Sequence, residues 1–232
     1  MEITDSRCAF CKFKGTEKRC HSKTGHAPAF CPTINKRNCV EKTFAEYQIP
    51  EIHEFARQAS LQEASCYIQR DREPAVHFAV KPRLQEIIEF AKRMNYQRLG
   101  LAFCGGLQQE AFLTTKVLEK HGFEVVSVVC KVGSVPKEKI GVTDSQKVAM
   151  GKYESMCNPI AQAEILNEAG TEFNILLGLC VGHDSLFFKY AKAMTTVFAV
   201  KDRVLGHNPL AVLSTLDSYY ERLKKSEMNP DL

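Results

Sequence analysis

Three stretches of the chain share one pattern, a mostly apolar run that ends in cysteine: Arg98 to Cys104, Phe123 to Cys130 and Phe173 to Cys180. Each reads as a strand, and the one ending in Cys180 as a buried strand, because apolar side chains fill nearly all its successive positions instead of alternating with polar ones. Thr195 to Val200 supplies a fourth strand. Helical periods lie between and around them. Pro82 opens a helix whose Leu84, Ile87, Ile88, Ala91 and Met94 recur at spacings of three and four. After the Gly105-Gly106 turn, Leu107 to Lys120 is a second helix, closed by Gly122. Asn158-Pro159 is an N-cap followed by a first-turn proline, and the helix it starts runs to about Ala169. A short helix from Ser185 to Ala193 follows the third strand, and Asn208-Pro209 starts a last helix reaching about Lys225. Strands alternating with helices predict an α/β domain over residues 81–232, a Rossmann-like parallel sheet of about four strands flanked by helices. Residues 131–158 form a long connection without a period, of a length typical of lids and binding segments.

Upstream the pattern changes. Residues 43–80 read as a helical linker, with Ile52, Phe55, Ala56, Ala59, Glu63 and Tyr67 at mostly helical spacing from Pro50 to about Gln69. Cys66 falls inside that helix as a buried structural thiol; His53 and His77 have no visible partners. Residues 1–42 carry no apolar period long enough for a core and are instead polar, basic and rich in cysteine.

Composition narrows the setting. A chain of 232 residues, 44% hydrophobic, can bury one good core and carry a small appendage. No secretory h-region follows Met1, and no apolar run reaches the roughly 20 residues that span a bilayer. The expectation is a soluble cytoplasmic protein without a membrane partner, in which ten cysteines serve metal or redox chemistry and not disulfides. Residues 1–42 hold nine Lys/Arg against four Asp/Glu, and the remainder 22 against 23. Bound thiolates account for this basic excess better than nucleic acid does, because no aromatic residues interleave with the basic ones to stack bases.

The first candidate site is the N-terminal module. Cys8 and Cys11 form a CxxC pair, a spacing at which one tight turn presents two thiolates to one ion. Cys20 and Cys31 complete four ligands, with His21, His26 and Cys39 as replacements. Zinc and an iron–sulfur cluster both fit.

The second candidate site follows from topology. Parallel strands bring their C-terminal ends to one edge, where ligands of open α/β sheets bind. Cys104, Cys130 and Cys180 end three strands there, and Cys157 precedes the N-cap of a helix whose start faces the same edge. Helix N-termini favour thiolates. Strand ends about 4.8 Å apart span more than one tetrahedral ion needs, which leans toward a cluster. Lys131, His183, Asp184, Lys201, Asp202, Arg203 and His207 share the edge. In one reading His183 and His207 are acid–base groups or extra ligands, with Arg203 and Lys131 holding an anionic substrate. In the other, Asp184 caps a helix and Arg203 is a structural ion-pair partner. No P-loop, GxGxxG fingerprint or catalytic triad occurs among them.

Four segments carry a family resemblance: Arg98 to Cys104, Cys157 to Ile160, Gly178 to Asp184 and Val200 to Pro209. With the N-terminal cysteines, they make nearly the whole chain similar to a family of metal-binding proteins of bacteria and archaea, a domain of unknown function noted for its cysteines. The resemblance implies metal binding and supplies no reaction. The expected function is a metal-binding protein whose strand-end cysteines hold an iron–sulfur cluster, acting in electron or sulfur transfer with a redox or sulfur-transfer partner. Two alternatives stand beside it: a non-enzymatic metal sensor or carrier with a zinc-type N-terminal module, and a metal-free thiol redox protein.

Overall fold

The computed structural model describes residues 5–71 and 78–225. The chain divides into two compact units, Met1–Val76 and His77–Leu232. The predicted linker residues 72–77, with His77, lie outside the described residues.

The first unit is built of short turns and helices. Single 3-10 turns at Cys8–Phe10 and Gly15–Glu17 precede helices α1 (Pro32–Asn35), α2 (Arg37–Thr43) and α3 (Pro50–Ser65). Pro32 and Pro50 open α1 and α3 at the first helical position, where a missing N–H costs nothing. Helix α3 ends four residues before the predicted Gln69, and its buried face is not the apolar stripe. Gln58, Gln62 and Cys66, at spacings of four, are its buried positions, while Ala59, Glu63 and Tyr67 are exposed. The two glutamines are buried with partners: the Gln58 amide donates to Glu54, and the Cys66 thiol to the Gln62 carbonyl.

The second unit is α/β, as the pattern predicts. Helix α4 (Arg83–Arg93) buries Ile87, Ile88, Phe90 and Ala91. Strands β1 (Arg98–Phe103), β2 (Glu124–Val129), β3 (Phe173–Leu179) and β4 (Thr195–Val200) form a wholly parallel sheet in the order β2-β1-β3-β4. Between them run α5 (Gln108–Lys120), α6 (Pro159–Glu168) and α7 (His183–Tyr190). Every residue of β3 is buried, which explains its nearly unbroken apolar run. One core cluster joins Ala102, Val128, Cys130, Leu176 and Leu179 of the sheet to Ala163 and Leu166 of α6 and Phe187 of α7.

Two details of β3 matter for its edge. Asn174 presses against Gly100 of β1, where a Cβ would lie 2.1 Å from the Asn174 side-chain oxygen. Gly178 takes a positive φ of 69°, and the pairing of β3 with β4 shifts register on either side of Leu177. Such an irregularity re-aims the residues beyond it. Leu179 joins Leu176 in the core cluster, although an undisturbed strand would turn residues three apart to opposite faces.

Three predicted elements differ. The cysteines sit one residue beyond their strands, which end at Phe103, Val129 and Leu179. Residues 131–158 are a braced loop: buried Lys147 pairs with Glu138 at 2.5 Å and Asp144 at 3.1 Å, and Lys137 with Glu154 at 2.6 Å. The predicted last helix is instead a 3-10 segment, Pro209–Thr215, then turns and a second 3-10 stretch, Glu221–Lys224. Asn158 caps α6 through its side chain, whereas Asn208 makes no side-chain cap bond. Leu210 and Leu213 also stay exposed, so no buried face consolidates an α-helix there.

Candidate functional site

The sheet ladder extends one residue past the strands and places the thiols. Cys104 N–H donates to the Leu177 carbonyl at 3.0 Å, and Cys130 N–H to the Phe103 carbonyl at 2.8 Å. Asn158 N–H then donates to the Cys130 carbonyl at 2.7 Å, which ties the start of α6 to the end of β2. A fully buried residue completes the join. The Gln162 side-chain amide donates to the Val128 carbonyl at 2.7 Å and the Phe103 carbonyl at 3.2 Å, pinning α6 to β2 and β1 together.

This framework brings the sulfurs of Cys130 and Cys157 to 3.8 Å from each other. Gly105 N–H points at the Cys130 sulfur at 3.4 Å. Cys104 and Cys157 both pack, half-buried, against the cluster that contains Cys130. Three of the four predicted thiols therefore share one face of the sheet, beneath the start of α6.

The pair holds its proton unequally. The hydrogen bond shared with Cys130 pulls the Cys157 thiol down to about 5, against the opposing effect of burial and with further help from the charges of Lys131 and His183. The same bond, together with burial, pushes Cys130 up. Cys130 is 2% exposed and Cys157 is half-buried, next to the cap of α6, so the thiolate belongs on Cys157. Lys131 is held there by a hydrogen bond to the Ser155 carbonyl.

Cys180 has a different partner. The Arg203 guanidinium donates to its sulfur at 3.1 Å. Arg203 is thus a thiol contact and makes no carboxylate pair among the described residues. His207 is occupied within its own turn: its Nδ1 accepts Asp202 N–H at 3.1 Å, and its N–H donates to the Asp202 carbonyl at 3.0 Å. His183 stands in the first turn of α7, and its Nδ1 is buried without a hydrogen-bond partner among the described residues. Asp184 follows in that turn and accepts Ser185 N–H.

One residue at the edge escapes a reading of the sequence for site chemistry: Gln162, whose only signal is a polar side chain one turn before the apolar Leu166. Lys201, expected at the edge, is found there. A Cβ on Gly106 would lie 3.1 Å from the Lys201 ammonium and 3.9 Å from the Cys104 sulfur, so the amine hangs over the Gly105-Gly106 turn that follows Cys104.

In the first unit the cysteines ride on turns. Cys11 N–H closes the 3-10 turn onto the Cys8 carbonyl at 3.1 Å, and Cys31 N–H bonds the Pro28 carbonyl at 2.9 Å before α1. Cys8, Cys20 and Cys39 are exposed; Cys11 and Cys31 are half-buried. His26 faces the Phe13 ring, and the backbones of Lys18 and His26 bridge. All the cysteines are free, and among the described residues no three His, Cys, Asp or Glu side chains are grouped to hold one metal ion. No helix of the described residues is long and apolar enough to cross a membrane.

Comparison with known proteins gives two matches. An uncharacterised protein of Methanocaldococcus jannaschii is 47% identical over 199 residues, covering 84% of this chain and 96% of that protein. A family model for proteins of unknown function, DUF1847, matches residues 31–198, a span that takes in Cys31 and the thiols at positions 104, 130, 157 and 180. By both measures the chain belongs to the DUF1847 family.

Proposed function

We propose that this protein acts through thiol chemistry at the C-terminal edge of its sheet, in electron or sulfur transfer, with Cys157 as the attacking thiolate and Cys130 as its partner. The observation that carries this is the 3.8 Å contact between the two sulfurs, delivered by a strand end and a helix start that backbone bonds lock together. The chemistry balances with a disulfide as oxidant. The Cys157 thiolate attacks one sulfur of R–S–S–R, forming Cys157–S–S–R and releasing one RS⁻. Cys130 gives up its proton and attacks the Cys157 sulfur, forming the Cys130–Cys157 disulfide and releasing the second RS⁻. Two thiols are oxidised and one disulfide reduced. Closing the bond brings the sulfurs to about 2.05 Å, a movement of side chains. The proton that Cys130 gives up leaves on a departing RS⁻, so that one of the two released groups is RSH.

A second reading, metal binding, has its own support. Two thiolates on one tetrahedral zinc ion stand about 3.8 Å apart, from Zn–S bonds of about 2.3 Å. The Cys130–Cys157 contact matches that edge, and Cys104 is a third thiol on the same face. As placed, the side chains offer two converging ligands and not the three or four of a finished site. The N-terminal module supports the reading differently. It has few buried side chains and no disulfide among the described residues, and modules that small are commonly held by metal. Cys8, Cys11, Cys20 and Cys31 are its ligands in this reading.

The test is anaerobic purification followed by iron, zinc and sulfide analysis, then titration with a disulfide oxidant and mass-spectrometric mapping. Substoichiometric metal at the edge and a Cys130–Cys157 disulfide support thiol chemistry. Stoichiometric metal lost in both Cys130→Ser and Cys157→Ser, with no disulfide in the wild type, would replace it with metal binding.

A further inference from the structure

We infer that Cys104 is the outlet of the thiol pair: once Cys130 and Cys157 are joined, Cys104 attacks the Cys130 sulfur, and the disulfide moves to Cys104–Cys130. The inference rests on the reading of Cys130 and Cys157 as a redox pair and assigns the third thiol a step of its own.

The geometry points to Cys130 as the hinge of the exchange. Phe103 and Val129 are register partners on parallel strands, and Cys104 and Cys130 are the next residues on each. Neighbouring strands lie about 4.8 Å apart, inside the roughly 4.4–6.8 Å range of Cα separations that a disulfide accepts. Register partners in a parallel sheet also point to the same face. Cys104, two residues after Ala102, and Cys130, two after Val128, both meet the cluster beneath α6. The Cys130 sulfur therefore has Cys157 on one side, at 3.8 Å, and Cys104 on the neighbouring strand. Cys180 is the less suitable third thiol: beyond the irregularity at Gly178 its sulfur is engaged by Arg203.

The exchange needs no further oxidant. The Cys104 thiolate forms a bond to the Cys130 sulfur as the Cys130–Cys157 bond breaks, and the electron pair leaves on Cys157. The proton lost by Cys104 goes to water. Two groups favour the exchange. The Lys201 ammonium reaches the Gly105-Gly106 turn that follows Cys104, with no carboxylate partner among the described residues, and offers positive charge to the negative charge spread over the sulfurs during the exchange. On the other side, Lys131 and the start of α6 favour negative charge on Cys157, which makes it the better leaving group. The outcome is a regenerated Cys157 thiolate, while the oxidising equivalent sits on Cys104, a half-buried thiol that a partner can reach, unlike Cys130.

The test uses the full chain, reduced, freed of oxygen and treated with one equivalent of diamide. Samples are quenched in acid over time, remaining thiols are blocked with N-ethylmaleimide, and peptides are mapped by mass spectrometry. The expected course is Cys130–Cys157 first, then Cys104–Cys130 with Cys157 free, and a several-fold slower second step in Lys201→Gln. If Cys130–Cys157 forms and Cys104 stays fully labelled, or pairs with Cys180, the relay is wrong and the thiol pair stands. If no disulfide forms among the three, both the relay and the pair are wrong. The wild-type mapping decides between these outcomes even if the variant fails to fold.

Discussion

The two units use cysteine in opposite settings. In Met1–Val76 the thiols at positions 8, 11, 20, 31 and 39 lie on short turns and helices, exposed or half-buried, over a segment whose buried described residues are Gln58, Gln62 and Cys66. In His77–Leu232 three stand at the ends of strands and one before a helix start, on a four-stranded sheet whose inner strand β3 is buried along its length. A turn lets a thiol adapt to whatever ligand arrives. A sheet edge fixes it, so that one neighbour sets its proton affinity. The same residue type stands on open turns in one unit and at a braced sheet edge in the other.

The largest expected effect comes from loosening the fixed edge. Gly178→Ala adds a Cβ that would lie 2.1 Å from a Leu107 methyl, at a φ of 69° that alanine adopts only under strain. We expect a loss of about 3 kcal/mol or more, and a thermal midpoint lower by roughly 10 °C. Calorimetry checks this, and a midpoint within 2 °C of wild type, on the order of measurement scatter, would contradict the packing described for the edge.

Gln162→Met should be next. It keeps the volume but leaves the Phe103 and Val128 carbonyls without their side-chain donor, at a cost of about 1–3 kcal/mol. Because Gln162 pins α6, the variant should also raise the apparent pKa of Cys157, which a merely stabilising residue would leave alone. Urea unfolding and thiol titration together separate the two roles.

Much of this arrangement is legible in the sequence. Strands β1, β2 and β3 are marked by apolar runs, and their cysteines fall within one residue of the predicted positions. Asn158-Pro159 announces α6 because an N-cap and a first-turn proline are local chemistry. What escapes is whatever depends on parity or partners. In Leu176-Leu177-Gly178-Leu179 every residue is apolar, so no alternation reports which face each one takes, and the irregularity at Gly178 leaves no trace. Lys147 looks like an ordinary loop lysine until Glu138 and Asp144, both near in sequence but set by the loop's fold, close on it. The chain after Asn208 has helical residues but no surface to bury them against, which periodicity alone does not reveal.

Stability should also report the pair. Cys157, held down to about 5, is a thiolate in the folded chain over a pH range where the unfolded chain keeps its proton. Its contribution is fully present above the ordinary thiol range and is lost as pH falls through about 5. Cys130 is pushed up, so the folded chain keeps that proton while the unfolded chain loses it, and stability declines as pH rises above roughly 8.5. Denaturation midpoints from pH 5 to 10 should therefore rise and then fall. Cys157→Ser should remove the rise.

The smallest effect belongs to the first unit. Cys39 is exposed on α2, and Cys39→Ser should change stability by less than about 0.5 kcal/mol. A larger loss, accompanied by loss of bound zinc, would make Cys39 a ligand of the N-terminal module.

The central claim, that the sheet edge holds a poised thiolate, is tested most directly by measuring the iodoacetamide alkylation rate of each cysteine against pH by mass spectrometry. At pH 6 a thiol titrating near 5 is mostly ionised, whereas an ordinary thiol is about 0.3% ionised; the weaker nucleophilicity of the low-pKa thiolate leaves a net advantage of about tenfold. Cys157 should react fastest at pH 6, with an inflection near 5, and Cys130 should be the slowest of the edge thiols. A Cys157 profile that rises only near pH 8.5, as that of a free cysteine does, would contradict the claim.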